Sequence, residues 1–183
     1  MERDKNIVAL NNVLADIFPC TVWDDSSLDT ARRVVDAWKE FSDNACKSFV
    51  FTTFEANVNQ MIVVKDIHFS SLCCHHLFPF DGVAHVGYVP NDLMVGLSKV
   101  PRLVEWASHM PTTQEKLTAS IADFMKHKLA AMGVAVVIES QHTCMACRGV
   151  RSHEASMVTS EMRGIFLTSG EARSEFLSLI GHK

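Results

Sequence analysis

Residues 133–144 read GVAVVIESQHTC, a run of small and β-branched apolar side chains that passes without a break in its alternation into Ser140, His142 and Cys144. Side chains on an extended strand alternate with period two, so Val134, Val136, Ile138, Ser140, His142 and Cys144 share one face. That face turns from apolar to chemically active along its length. The same period sets His142 and Cys144 about 6.6–6.8 Å apart along the chain, close enough to serve one site.

The segments before this strand read as helices. In TTQEKLTASIADFMKHKLAAMG (112–133), Leu117, Ile121, Phe124, Met125 and Leu129 recur at helical spacing, and Gly133 suits the C-terminal stop. Upstream, Ser98 is placed to N-cap a helix over KVPRLVEWASHM, with Pro101 in its first turn, where a missing N–H matters little. Further back, MIVVKDIHF (61–69) and GVAHVGYVP (82–90) read as strands, the second stopped by Pro90, and CCHHLFPF (73–80) lies in the connection between them. At the start of the chain, IVALNNVLADIF puts Ile7, Leu10, Val13, Leu14 and Ile17 on one helical stripe. DTARRVVDAWKEF follows as a second amphipathic helix with an acidic first turn, and the polar WDDSSLDT (23–30) is the nearest thing to a boundary. With no internal repeat, the organisation expected is a helical arm over 1–45 and one structural unit over 46–183.

Composition narrows the class. A chain of 183 residues, 48% hydrophobic with 8 Gly and 5 Pro, can bury one substantial core. A formal charge of −4 without a long basic run argues against nucleic acid as a partner. No apolar run approaches the roughly 20 residues of a membrane span, and MERDKNIVALNN carries charge where a signal peptide needs an apolar core. A cytoplasmic location is therefore expected, and six cysteines in a reducing compartment are read as ligands, nucleophiles or buried apolar residues. Cys20 and Cys46 stand alone and are read as structural.

Cys73 and His76, spaced Cys-x-x-His, can grip one tetrahedral Zn²⁺ from a single turn, and Cys144 can supply a third ligand. A fourth position left to water makes the site catalytic. A closed structural site, with Cys144 and Cys147 of CMAC completing four ligands, satisfies the spacing equally. Strand alternation would point Cys147 away from Cys144, and a structural site leaves His75 and His142 without a purpose. By itself Cys147 reads as a buried thiol.

SLCCHHLFPFDGVAHVGYVP, VGLSKVPRLVE, QEKLTASIA, GVAVVIESQHTCMACRGV and TSEMRGIF stand in the order and spacing of one family, and across residues 29–180 the chain resembles type I GTP cyclohydrolase. The resemblance implies an α+β tunnelling fold, in which an antiparallel four-stranded sheet packs on two antiparallel helices behind a short N-terminal helical arm. It implies homo-oligomeric rings, typically decamers with active sites at subunit interfaces. The expected substrate is GTP or a related purine nucleotide. In the family it resembles, zinc activates a water that attacks C8 of the guanine, the imidazole ring opens, formate leaves, and the ribose carbons close into dihydroneopterin triphosphate.

Carried over position by position, the resemblance makes Cys73, His76 and Cys144 the zinc ligands. His142 becomes the proton donor to the ring nitrogen, with His75 assisting and Ser98 counted in the same catalytic set. Ser98, Lys99 and Arg102 begin a helix, where free N–H groups, the dipole and two cations suit a triphosphate, joined by Arg148. Glu115 is either the guanine acceptor, which the family favours, or the N3 carboxylate of a capping box with Thr112. Gln114 is a further substrate contact, and Arg33 matches an arginine lent to a neighbouring subunit's phosphate site.

Cys74 departs from the family, which has glutamate between the zinc cysteine and the paired histidines. A thiol is smaller and ordinarily neutral, so it replaces neither the charge nor the acceptor geometry. Two rival readings follow: a tunnelling-fold nitrile reductase-like enzyme with a nucleophilic cysteine and a nicotinamide cofactor, and a non-catalytic purine-nucleotide-binding relative.

Overall fold

The computed structural model describes residues 2–20 and 29–181. Most of the expected boundary segment, residues 23–28 of WDDSSLDT, lies outside them. The chain divides into two compact units, residues up to Lys47 and residues from Ser48 onward.

The first unit is a pair of helices, α1 (Glu2–Ile17) and α2 (Thr30–Ala45). The stripe expected on α1 is only partly covered: Ile7, Leu10 and Leu14 are half-buried, whereas Val13 and Ile17 are 48% and 63% exposed. A helix that packs on a single partner within its unit can bury only one narrow strip. Asp29 precedes α2 at its N-cap, but its carboxylate pairs with Arg32 and caps no N–H, and the first turn itself holds no acidic residue.

The second unit is α+β. Strands β2 (Ile62–Leu72), β3 (Pro79–Val89), β5 (Gly133–His142) and β6 (Met157–Gly164) form a four-stranded antiparallel sheet in the order β2-β3-β5-β6. The short strands β1 (Thr53–Glu55) and β4 (Leu93–Val95) pair separately. Helices α3 (Lys99–Ser108) and α4 (Gln114–Leu129) cover one face of the sheet. There Phe80, Ala84, Val86 and Tyr88 of β3 and Val134, Val136 and Ile138 of β5 meet Leu103, Leu117, Ile121 and Met125. The other face is closed at one end by α6 (Ile165–Thr168) and α7 (Gly170–Ile180), which set Phe166, Phe176 and Ile180 against Val89, Ala135 and Val137. Apolar layers on both faces explain why residues 133–138 are buried without exception, the pattern of a strand with no solvent side.

Several local expectations are corrected. Helix α4 ends at Ala130 in the left-handed conformation (φ 44°), while Gly133 opens β5. A side chain at 133 would meet Ile165 Cγ2 at 2.6 Å and Phe166 at 2.9 Å, so glycine there serves close packing. The cap of α4 is Thr113, not Thr112, and its hydroxyl accepts from the Lys116 N–H at 3.3 Å, which places Glu115 second in the helix. Ser98 occupies the N-cap of α3 in a helical conformation, and its side chain makes no capping bond. Strand β5 stops at His142, and Thr143 begins a single helical turn, α5 (Thr143–Ala146). The strand period therefore does not reach Cys144 or Cys147.

Candidate metal and catalytic site

The loop between β2 and β3 is wound tightly around Cys73. The Cys73 N–H donates to Phe78 O (2.9 Å), and Cys73 O accepts from the N–H groups of Leu77 (2.7 Å) and His76 (3.3 Å). Leu77 takes a left-handed φ of 54° to close this turn. Positions three apart in such a turn face the same side, which is how Cys73 and His76 come to converge. The segment before α4 is bound to the same loop: Thr112 N–H donates to Leu72 O (2.9 Å) and Cys74 N–H to Thr112 O (3.0 Å). Gln114 and Glu115 are thereby held beside the cluster. The third segment arrives from β5, where Thr143 Oγ1 donates to Pro79 O at 2.6 Å and secures α5 against β3.

Cys73, His76 and Cys144 form the one group among the described residues that can hold a metal ion, with ligand atoms all within 4.8 Å of one another. Two such ligands on a tetrahedral Zn²⁺, at about 2.3 and 2.0–2.1 Å, stand ~3.6 Å apart. Cys73 Sγ lies 3.9 Å from His76 Nδ1, within a few tenths of an ångström of that spacing, and two thiols with one imidazole are donors of the kind Zn²⁺ takes. Burial raises the Cys144 thiol pKa, and Cys73 beside it raises it further. A divalent cation between the two sulfurs reverses that preference by stabilising both thiolates. Cys73 Sγ is also 3.8 Å from His75 Nδ1, but His75 stands outside the three-residue group.

Cys74 and Cys147 are exposed and also outside that group, as are the exposed Cys20 and Cys46. The expectations of structural roles for Cys20 and Cys46 and of a buried Cys147 are therefore corrected. On a helical turn Cys144 and Cys147 are neighbours in projection, so strand alternation no longer separates them.

His142 stacks face to face on the fully buried ring of Phe80, with centroids 4.6 Å apart and planes inclined by 8°. Burial lowers its pKa, and the Glu115 carboxylate opposes that effect. Glu115 is held below the ordinary carboxylate range first by its own backbone N–H and the Thr113 hydroxyl, and then by His142 and His75. Its field thus reaches both histidines. Gln114 is 1% exposed, and its amide is spent inside the protein, bonded to His142, Ser140, Thr159 and two backbone carbonyls. The expected substrate contact therefore finds no open donor or acceptor on the Gln114 side chain. Neither the buried Gln114 nor Phe80 advertises its position locally, because their partners lie far away in sequence.

Ser98, Lys99 and Arg102 lie at the start of α3, with Ser98 and Arg102 exposed and Lys99 half-buried, and Arg148 is exposed just beyond α5. Among the described residues none pairs with Lys99, Arg102 or Arg148. Arg33 is an exposed residue of α2, in the first unit.

A four-stranded antiparallel sheet backed by two helices, with a thiol and imidazole cluster in the β2–β3 loop, defines a tunnelling-fold protein with a metal-capable site. A solved structure of the archaeosine synthase QueF-Like in the apo form superposes with a TM-score of 0.50, covering 59% of this chain and 97% of that one. At 13% identity that likeness is one of fold alone. A sequence model of GTP cyclohydrolase I matches residues 19–181, and the chain belongs to the GTP cyclohydrolase I family. The GTP cyclohydrolase 1 of Sulfurihydrogenibium sp. is 48% identical over 158 residues, 85% of this chain and 83% of the relative. That of Aquifex aeolicus is 45% identical over 154 residues, 83% of each chain, and that of Methylococcus capsulatus is 42% identical over 160 residues, covering 85% of this chain and 86% of the relative.

Proposed function

We propose that the protein converts GTP to 7,8-dihydroneopterin triphosphate with release of formate. The observation that carries this reading is that a chain of this family brings His142 and Glu115 into one site with the Cys73, His76 and Cys144 group. Cys73, His76 and Cys144 would hold Zn²⁺, whose chemistry when bound is the activation of water near neutral pH.

The remaining work belongs to the chain's own side chains. The Glu115 carboxylate, ionised well into acid, is suited to accept two donors of a guanine edge, its N1–H and 2-amino group. His142 supplies the proton to the purine nitrogen as the imidazole ring opens, and His75 assists at the same centre. Ser98, Lys99 and Arg102 at the start of α3, with Arg148, hold the triphosphate through charge and helix N–H groups. Arg33 extends toward the phosphate site of a neighbouring subunit in a homodecamer. The cytoplasm suits six free thiols, two of them intended for a metal. The relatives do not favour the nitrile reductase-like alternative.

The test incubates zinc-loaded protein with GTP and, separately, dGTP, and measures formate and pterin. Stoichiometric formate and dihydroneopterin triphosphate from GTP support the reading. No turnover of either nucleotide refutes it and leaves the non-catalytic relative.

A further inference from the structure

We propose that Gln114 is a positioning residue: its buried amide fixes His142 as the Nε2–H tautomer, so that Nδ1 is the atom through which His142 passes its proton. The inference deepens the function proposed above and rests on it for the proton-transfer role of His142.

The orientation of the Gln114 amide follows from the chemistry of its partners. Its nitrogen donates to Ile138 O at 3.0 Å and Met157 O at 2.9 Å, with Thr159 Oγ1 at 3.1 Å. Carbonyl oxygens only accept, so the NH₂ end must face them; reversing the amide would set oxygen against oxygen twice. Oε1 then has only one direction left, toward Ser140 Oγ at 2.6 Å and His142 Nε2 at 2.9 Å. An amide oxygen also only accepts, so both Ser140 and His142 must donate to it, and Nε2 carries hydrogen.

A neutral imidazole has one N–H, so Nδ1 is left with its lone pair, and no described residue bonds to it. When the ring is protonated, Nε2–H still points at an amide oxygen that cannot take a proton, and the transferable proton sits on Nδ1. The opposite tautomer would bring two lone pairs together at 2.9 Å in a part-buried place, a disfavoured population by roughly tenfold to a hundredfold. Phe80 completes the restraint by covering one face of the ring.

The amide is itself held rigidly. Ile138 belongs to β5, Met157 and Thr159 to β6, and the Thr159 hydroxyl is 2.7 Å from that of Thr118 on α4. Two amide hydrogens share three acceptors, and two donors occupy the oxygen, which leaves the Gln114 side chain no capacity for a nucleotide.

Solid-state ¹⁵N NMR of the full-length, zinc-loaded protein with labelled histidine reads the tautomer directly, whatever the size of the assembly. The His142 signals are assigned by difference against His142→Asn. The expected result for the neutral ring is a protonated Nε2 and a bare Nδ1; a protonated Nδ1 with bare Nε2 overturns the proposal. Gln114→Met, similar in length but without an acceptor, is expected to keep its zinc, show mixed tautomers and lose about tenfold to a hundredfold in kcat with KM within about threefold. A raised KM with kcat preserved would make Gln114 a substrate contact and overturn the positioning role. If Gln114→Met does not fold, the tautomer of the parent protein alone decides. An Nε2–H ring in a protein that releases no formate from GTP would overturn the proposed function and uphold the positioning role; an Nδ1–H ring in an active enzyme would do the reverse.

Discussion

Replacing Phe80 with leucine separates support of the His142 ring, the proposed proton donor, from ordinary core packing. Phe80 is fully buried, stacks on His142 and meets Phe69 edge-on at 5.9 Å and 80°. Leucine keeps an apolar side chain in place but removes both ring contacts, each worth about 0.5–1.5 kcal/mol beyond area burial. The lost volume, roughly 25 Å³, adds about 0.6 kcal/mol where the cavity does not collapse. The sum, about 1.5–3.5 kcal/mol, corresponds to a fall in thermal midpoint of about 2–4 °C per kcal/mol for a chain of this size. Phe69→Leu is the control: it removes the same volume from the same core and the same edge contact, but leaves the His142 stack intact. Calorimetry should find both variants destabilised, Phe80→Leu by more. Formate release should separate them sharply, with kcat near the parent's for Phe69→Leu and about tenfold or more lower for Phe80→Leu, because a small misplacement of a reacting group is costly. Zinc content should be unchanged in both. Equal kcat in the two variants would show that the stack does not hold His142 for catalysis.

Cys144→Ser should lose its metal, from one zinc per chain toward none by elemental analysis, and full retention would eliminate Cys144 as a ligand. Cys74 is exposed and outside the metal group, so Cys74→Ser should retain zinc while Cys74→Glu, which restores the family's charge, shifts turnover or the GTP/dGTP preference more; loss of zinc in Cys74→Ser would make it a ligand. Glu115 has a folded pKa below its ordinary 4.5, so its stabilising contribution is complete above that pH and drains away as pH falls through the lower folded value. The difference in thermal midpoint between the parent and Glu115→Gln should open as pH rises through this range, and a constant difference from acid to neutral would refute the assignment.

How much of this was legible in the sequence depended on the distance over which each residue acts. The strand at 133–142, the cluster at 73–76 and the apolar stripe of α4 could be read, because each is a local pattern. Helix α7 was open to the same reading: Ser169 accepts from the Ala172 N–H at its N-cap, Glu171 lies in the first turn, and Phe176 and Ile180 are four apart. The case of Cys144 differs: it packs against the same core as the apolar face of β5, but a strand period carried two residues past His142 runs into a helical turn. Gln114 had no local signal at all, because its partners lie 24 to 45 residues away, and a glutamine at a helix start resembles a solvated one until the fold closes over it.

The register between β3 and β5 is what turns these separate segments into one site. Phe80 faces His142 across the ladder, and two positions further on Gly82 faces Ser140, whose hydroxyl donates to the same Gln114 oxygen as His142. A slip of one residue would put Asp81 opposite His142 and turn every side chain of β5 to the wrong face. Glycine at 82 protects the alignment, since a Cβ there would lie 2.3 Å from Glu139 O and 2.5 Å from Ser140 Cβ and would drive the strands apart next to the His142 ring. The apolar residues of the sheet therefore act on the chemistry through geometry: they fix which residues are opposite one another, and that pairing gives His142 its stacking partner and its hydrogen-bond acceptor together.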